Sequence, residues 1–270
     1  MLPDPGRGDT GTSAPPRPFS GAPLLRWQAL SAEAGLGWQR EAARAVGAGQ
    51  GPKTTLCWRS PRAVVATRAE SRLPGFARAR SQLAREGWPV CVRDCGGTAF
   101  PVGPDTLQIA RVLPWRAGLC VRDLYGELTE PLLRALRRLG VPSLVAVVAG
   151  AFCAGRCDLA AGGRKLGGVA QAWRGSPAAG GYAMITASVL LAGDPADFCR
   201  AVNRFHRGVG SPRRCRAETI TTVARETAPD LRIRDLTSAF EAALADALAP
   251  RHPGFARPEP SAIARPCQPT

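Results

Sequence analysis

The stretch "FCAGRCDLAAGGRKLGGVAQAW" at residues 152–173 contains one of only two lysines in the chain. The chain has 36 Lys and Arg residues together, so arginine fills almost every basic position, and Lys165 is an exception set between two glycine pairs. Lysine presents a compact ammonium with three donors, which a planar guanidinium cannot replace. Clustered glycines occur mainly where a turn or a close ligand approach requires them. The stretch therefore predicts strands joined by glycine-rich turns, and Lys165 is either there by chance or marks a position that needs an ammonium group.

Apolar patterning predicts further strands and helices on both sides of this stretch. The predicted strands cover residues 55–59, 63–66, 88–94, 106–113, 142–151, 157–163, 165–173 and 181–193, and the predicted helices cover 75–87, 121–139 and 234–248. The first two strands flank Ser60 and Pro61, which predicts a hairpin, and the strand at 142–151 is predicted to be buried. Because strands arrive in groups and helices intervene irregularly, we predict an α/β (α+β) fold with a mixed, largely antiparallel sheet flanked by helices.

The length of 270 residues is sufficient for one large domain. Residues 1–22 and 252–270 are rich in small residues and proline, which predicts a disordered N-terminal lead, a domain over 23–251 and a disordered C-terminal tail. The chain has no apolar run long enough to span a bilayer, so we do not expect an integral membrane protein. Its beginning lacks the basic and apolar regions of a secretory signal, so we expect a cytoplasmic protein.

The net charge of +15 and the pI of about 10.7 indicate an acidic partner. The arginines are spread along the chain without interleaved aromatic residues, which disfavours nucleic-acid binding and leaves an acidic carrier protein as the expected partner. Nine cysteines are scattered along the chain, and most are expected to be reduced. Two pairs, Cys91 with Cys95 and Cys153 with Cys157, share a spacing that zinc sites tolerate, but that spacing is permissive and we expect no metal site.

Three motifs occurring in this order resemble the lipoate and biotin protein ligase superfamily, specifically its lipoate-protein ligase A and octanoyltransferase branch. They are "VRDCGGTAFPVGPDTLQIA", the stretch at 152–173 and "GYAMITASVLLAG", and the resemblance covers roughly residues 25–250. It implies a biotin/lipoate protein ligase-like catalytic domain in which Lys165 is the catalytic lysine that contacts the acyl carbonyl. It also implies an acyl-binding pocket formed by six residues: Arg93, Gly96, Gly97, Thr98, Gly168 and Ala170.

The resemblance also implies a role for a cysteine, because some octanoyltransferases of this superfamily form an acyl thioester in the loop that contains Cys153. A thiol can attack an acyl donor directly and pass the acyl group to an amine without ATP. Arg156 and Lys165 are expected to favour the thiolate of Cys153. Cys157 is the alternative nucleophile, and a small buried thiol without chemistry is the structural alternative.

Two positions depart from the pattern of the superfamily. The strand after the lysine has Ile185, Thr186 and Ala187 where a histidine is usual, and the arginine doublet is replaced by Arg93 and Asp94.

Three functions therefore stay open at the level of sequence. The first is an acyltransferase that attaches octanoyl or lipoyl groups to a lysine of an acidic lipoyl carrier domain, with acyl carrier protein as a further partner and no cofactor. The second is an ATP-dependent lipoate-protein ligase that forms an acyl-adenylate and needs ATP and Mg. The third is a non-catalytic acyl-binding relative, and for all three we expect no membrane.

Overall fold

The computed structural model describes residues 25–227 and 233–249, which form two β-sheets with helices packed against them. The strands are β1 Leu25–Ala29, β2 Thr54–Arg59, β3 Ala63–Thr67, β4 Val90–Arg93, β5 Phe100–Val102, β6 Thr106–Pro114, β7 Leu144–Ala146, β8 Asp158–Ala161, β9 Arg164–Ser176 and β10 Gly180–Leu190. The helices are α1 Ala32–Gly47, α2 Phe76–Arg85, α3 Val121–Arg138, α4 Pro195–Gly208, α5 Val223–Glu226 and α6 Ile233–Leu248. The predicted lead at 1–22 and the predicted tail at 252–270 lie wholly outside the described residues, as do both ends of the predicted domain. No helix in the described part is long and apolar enough to cross a bilayer.

The larger sheet has seven strands in the order β1-β2-β6-β10-β9-β8-β7. Every neighbouring pair in it is antiparallel except β1 with β2. A second sheet has the order β4-β3-β5, with β3 parallel to β4 and antiparallel to β5. The predicted mixed, largely antiparallel sheet with flanking helices is therefore confirmed.

Each face of the larger sheet is covered by different elements. On one face, apolar side chains of α1 and of the second sheet pack against Ala110 and Met184. On the other face, the leucines of α3 and Phe240 of α6 pack against Ile109 and Ile185. Successive strand residues point to opposite faces, so Ile109 and Ala110 contribute to different cores. The central strands are thus buried on both sides, and a ligand can reach them only where the covering elements leave a gap.

Two predictions about strands are wrong: the hairpin around Ser60 and the buried strand at 142–151. The strands that flank Ser60 and Pro61 do not form a hairpin, because β2 belongs to the larger sheet and β3 to the smaller one. The predicted buried strand at 142–151 is reduced to β7, an edge strand in which the Leu144 side chain is 57% exposed. Apolar periodicity identified both segments as extended but could not identify their neighbours.

Helix α1 and helix α4 were not predicted from the sequence. Gly35 and Gly37 interrupt the helical pattern of α1, and glycine is an unfavourable residue inside a helix. The structure gives the reason for Gly35, because a Cβ atom built there would lie 2.5 Å from the Trp58 ring. Trp58 is 1% exposed and fills the space between α1 and β2. Gly37 has no comparable contact, since the nearest atom to a Cβ is 4.0 Å away at Arg40.

This difference predicts opposite effects for two glycine-to-alanine substitutions in one helix. Gly35→Ala should lower the free energy of unfolding by about 1–3 kcal/mol, because the methyl group overpacks the contact with Trp58. Gly37→Ala should raise it by about 0.5–1 kcal/mol, because alanine restricts the unfolded chain and favours the helix. Urea denaturation of both variants measures the two effects. Equal stability of the two variants would contradict the packing of α1 on Trp58.

Candidate active site

Lys165 lies directly after the turn that joins β8 to β9. The turn residues Gly162 and Gly163 have φ angles of 53° and 72°, left-handed conformations that glycine adopts without steric cost. Because the turn is short, β8 pairs with β9, and Asp158 at the start of β8 lies on the strand beside that of Lys165. Only 1% of the Lys165 side chain is exposed, so its ammonium charge is buried.

The Lys165 ammonium group has a protein acceptor for each of its three protons. Its Nζ atom lies 2.8 Å from Asp158 Oδ2, 3.0 Å from the Phe152 carbonyl oxygen and 2.7 Å from the Cys153 carbonyl oxygen. A buried charge is stable only when it is paired and hydrogen-bonded. Lys165 therefore attaches the start of β9 to the loop that carries Cys153.

Asp158 is a site residue that the sequence alone did not predict. Its side chain is 1% exposed, and Oδ2 also accepts a hydrogen bond from the Gly155 N–H at 2.8 Å. Burial raises the pKa of the Asp158 carboxyl group, and the neighbouring Lys165 ammonium opposes that rise. A carboxylate at the start of an apolar strand, seven positions before the lysine, was the available signal.

Cys153 accepts hydrogen bonds at its side-chain sulfur as well as at its carbonyl oxygen. The Sγ atom accepts hydrogen bonds from the Thr98 N–H at 3.2 Å and from Arg93 Nη2 at 3.4 Å. Both donors interact more strongly with a thiolate than with a thiol. Cys153 is half-buried, and its φ of 44° is a left-handed conformation that is uncommon for a residue with a side chain. The thiol is thus held at a defined position by tertiary contacts.

A positive group that the sequence did not predict for this role, Arg93, lies at the sulfur, and the roles of Arg156 and Lys165 toward the thiolate stay predictions. Arg93 ends β4, is 7% exposed, and its guanidinium lies 4.5 Å from the centre of the Phe100 ring. The same Nη2 atom donates to the Thr98 carbonyl oxygen at 3.2 Å. The hydrogen bond that Lys165 donates to Cys153 is to its carbonyl oxygen. Arg93 therefore links the sulfur to the glycine loop that follows β4.

The glycine loop, residues 94–99, lies against the sulfur of Cys153. A Cβ atom on Gly97 would lie 2.8 Å from Cys153 Sγ, and Gly97 has a φ of 102°. A Cβ atom on Gly96 would meet nothing within 4 Å, and Gly96 is exposed. The Ala99 N–H donates to Glu70 Oε1 at 2.9 Å, which fixes the end of the loop to a buried carboxylate. Gly97 therefore permits the approach of the loop to Cys153, whereas Gly96 faces open space.

A cleft with about 790 Å³ of empty space, part of it open to solvent, adjoins these residues. Its wall contains five of the predicted site residues: Arg93, Cys153, Lys165, Gly168 and Ala170. The other three, Gly96, Gly97 and Thr98, do not form part of that wall in the described structure. Thr98 contacts the sulfur through its backbone N–H instead. The structure thus brings seven of the eight predicted residues to one place and leaves Gly96 at its periphery.

Strand register explains the floor of the cleft. Trp58, Gln108, Ser188 and Gly168 are successive cross-strand partners on β2, β6, β10 and β9, and all four line the cleft. Gly168 is the member nearest to the charged cluster, because a Cβ atom there would lie 3.2 Å from Lys165 Nζ. The row therefore leads from a buried tryptophan to the ammonium group.

Two further residues, Cys157 and His206, do not line the cleft. Cys157 is half-buried. His206, in α4, is 3% exposed, and its Nδ1 lies 3.7 Å from Glu70 Oε1. The described residues contain no cluster of three or more His, Cys, Asp or Glu side chains that could hold a metal ion. In place of the usual histidine, Thr186 donates its hydroxyl to the Ala170 carbonyl oxygen at 3.3 Å.

Solved structures with a similar fold include lipoate-protein ligases. A lipoate-protein ligase A bound with ATP matches with a TM-score of 0.63 at 18% identity, covering 85% of this chain and 86% of that one. A chain of the bi-partite lipoate protein ligase from Thermoplasma acidophilum matches with a TM-score of 0.58 at 15% identity, covering 84% and 83%. At these identities the likeness defines the fold, that of a lipoate ligase catalytic domain.

The family model "Lipoyl protein ligase A/B catalytic domain" matches residues 31–245, and the chain belongs to this family. A protein of Cupriavidus necator without an assigned activity is 32% identical over 214 residues, covering 74% of this chain and 85% of its own. The octanoyl-[GcvH]:protein N-octanoyltransferase of Kyrpidia tusciae is 31% identical over 186 residues, covering 67% and 64%. The lipoyl-[GcvH]:protein N-lipoyltransferase of Listeria monocytogenes is 27% identical over 133 residues, covering 47% and 46%. The match therefore spans less than two thirds of the length of these two named transferases.

The buried pair predicts a large difference between two aspartate-to-asparagine substitutions. Asp158→Asn should lower the free energy of unfolding by about 3–5 kcal/mol, because it leaves the Lys165 ammonium buried without a counter-charge. Asp246→Asn removes the partner of Arg138 in an exposed pair and should cost less than about 1 kcal/mol. Chemical denaturation at neutral pH compares the two variants. A small cost for Asp158→Asn would show that Lys165 does not depend on this carboxylate.

Proposed function

We propose that the chain is an acyltransferase that receives an octanoyl or lipoyl group on Cys153 as a thioester and attaches it to a lysine of a lipoyl carrier domain. The observation that carries the proposal is the position of Cys153 Sγ, on the wall of the cleft and within hydrogen-bonding distance of Thr98 N–H and Arg93. The names of the transferase relatives support the reaction class.

In the first half-reaction, Sγ attacks the acyl carbonyl carbon of the donor and forms a carbon–sulfur bond. The bond between that carbon and the donor heteroatom breaks, and the leaving heteroatom takes the proton that the Cys153 thiol gives up. Negative charge develops on the carbonyl oxygen, which lies within two bonds of Sγ. The N–H groups of Thr98 and Arg93, which donate to Sγ, are the proposed donors that stabilise this charge in the transition state.

In the second half-reaction, the amine of the acceptor lysine attacks the thioester. The carbon–nitrogen bond forms, the carbon–sulfur bond breaks, and Cys153 leaves as a thiolate. The amine loses one proton, which neutralises the thiolate and restores the thiol. Arg93 and Thr98 favour the thiolate in this direction as well, so the same contacts assist both halves of the exchange.

Lys165 has a positioning role in this proposal. Its bonds to the carbonyl oxygens of Phe152 and Cys153 fix the backbone that presents the sulfur. The direct contact with the acyl carbonyl that the family resemblance implies stays a prediction, because it requires Lys165 to exchange one of these acceptors for the substrate oxygen. Gly168 and Ala170 provide the space in which the first part of the acyl chain lies.

The names of the relatives suggest which protein donates the acyl group and which kind of domain accepts it. Octanoyl-GcvH, named as a donor for the relatives, is the proposed donor here, and the net charge of +15 supports an acidic carrier domain as partner. Acyl carrier protein is the second donor to be tested. A cytoplasmic location and the absence of a cofactor stay predictions, and ATP with Mg belongs to the alternative ligase reaction.

The thioester predicts one covalent octanoyl group on one cysteine. After incubation with octanoyl-GcvH or octanoyl acyl carrier protein, intact-mass measurement should show one added octanoyl group on the wild type and on Cys157→Ala. Cys153→Ala should acquire none and should lose transfer by about a thousandfold or more. Full activity of Cys153→Ala with octanoate, ATP and Mg would instead establish the ligase reaction. A wild type that binds octanoate but never becomes acylated would establish a non-catalytic binder.

Adjacent glycines provide a matched test of the glycine loop. Gly97→Ala places a methyl group against Cys153 Sγ and Arg93 and should lower the rate of octanoyl transfer by about a hundredfold, because it displaces the sulfur from its donors. Gly96→Ala adds the same methyl group in open space and should leave the rate within about twofold of wild type. Single-turnover transfer assays compare the two. Equal rates for the two variants would contradict the role of the Thr98 and Arg93 contacts.

A further inference from the structure

Exposed apolar side chains mark the edge of the larger sheet near Cys153. In the described part of the chain, the exposed large hydrophobic residues are Leu144, Val147 and Val121. Leu144 is 57% exposed and Val147 is 61% exposed, and they lie on β7 and directly after it. β7 pairs with β8 on one side, and no described strand pairs with its other side. Cys153 follows Val147 by six residues, and Ala146 of β7 packs against the same apolar cluster as Cys153.

An arginine-rich loop, residues 211–216, lies beside the same segment. Arg213, Arg214 and Arg216 are all exposed. Within the described residues, Arg213 and Arg214 have no carboxylate partner, and Arg214 Nη1 donates only to carbonyl oxygens of its own loop. Arg216 has Glu218 at 2.9 Å. Unneutralised arginines on one short loop repel one another, so a partner with negative charge would be favoured there.

Backbone and packing contacts attach this loop to the reacting groups. The Arg216 N–H donates to the Gly150 carbonyl oxygen at 2.9 Å, and the guanidinium occupies the space where a Gly150 side chain would lie. Cys215 packs in the same apolar cluster as Phe152 and Cys153. The side-chain amide of Asn203 bonds both the N–H and the carbonyl of Cys215 at 2.8 Å. The backbone at Cys215 and Arg216 is therefore attached to the segment that carries the sulfur.

We propose that Leu144, Val147, Arg213, Arg214 and Arg216 form a docking face for the acyl-carrying protein. This inference rests on the proposed function, and it assigns the partner as a small carrier domain with carboxylates around its acylated lysine. Specific interfaces combine apolar contacts with charge complementarity at the periphery, and the face has both. A nucleic acid would use the arginines but gain nothing from the two exposed apolar side chains, so it is an outcome of the test rather than the proposal.

The test reverses charge on the docking face and at a distant site. Arg213→Glu with Arg214→Glu should lower kcat/KM for octanoyl-GcvH by about tenfold at low salt, mainly through KM, because rim charges act on encounter. Acylation of Cys153 by the small donor octanoyl-N-acetylcysteamine should stay within twofold of wild type. The control, Arg116→Glu with Arg122→Glu, makes the same change in charge away from the docking face. Arg116 lies two residues past the end of β6 and Arg122 lies in the first turn of α3; both are exposed, and neither lines the cleft.

A second variant and a binding measurement separate this proposal from the proposed function. Val147→Asp should weaken binding of GcvH to the Cys153→Ala protein by about tenfold, as measured by calorimetry without any chemistry. If the charge reversals leave GcvH binding unchanged, or if the distant control loses as much, the docking face is wrong although acyl transfer stands. If the wild type is never acylated but the docking variants still lose GcvH binding, the proposed chemistry is wrong and the face stands. Tight, salt-sensitive binding of DNA that these arginines control would assign the face to nucleic acid.

Discussion

The site depends on one buried ammonium group. Removing a cation and a carboxylate from water costs several kcal/mol for each ion, and only close pairing with complete hydrogen bonding offsets that cost. Lys165 meets this requirement with Asp158 and with the carbonyl oxygens of Phe152 and Cys153. Because the acceptors include two consecutive carbonyls of the 147–157 segment, the electrostatic requirement of the lysine also determines where the cysteine backbone lies.

The position of the Cys153 sulfur is in turn determined by a third segment of the chain. Arg93 and Thr98 belong to β4 and the loop after it, and they reach across to donate to Sγ. Gly97 makes this approach sterically feasible, since any side chain there would occupy the position of the sulfur. A thiolate is both the attacking and the departing group in acyl exchange, so donors placed at the sulfur serve both directions of the proposed reaction. The arrangement explains why a small residue, a cation and a backbone N–H converge at one point.

Local patterns predicted the elements that depend mainly on neighbouring residues. The strands β8 to β10 with their glycine turns, and the apolar stripe of α3, agree with the sequence interpretation because strand alternation and helical periodicity are local properties. The predicted hairpin around Ser60 failed, because a short turn signal does not specify whether the strands on either side pair. Helix α1 was missed because Gly35 weakens its intrinsic propensity, and only the contact with Trp58 explains why glycine is required.

The sequence by itself determined the family, the scarcity of lysine and the candidates Lys165 and Cys153, because these are properties of residue type and short-range order. Tertiary structure decided that Asp158 is the counter-ion, that Arg93 donates to the sulfur, and that Gly97 is needed where Gly96 is not. The physical reason is that these contacts join segments far apart in the chain, up to 60 residues in the case of Arg93 and Cys153. Hydrogen-bond geometry and burial act over a few ångströms in space, and no local periodicity records which distant residue will fill that space.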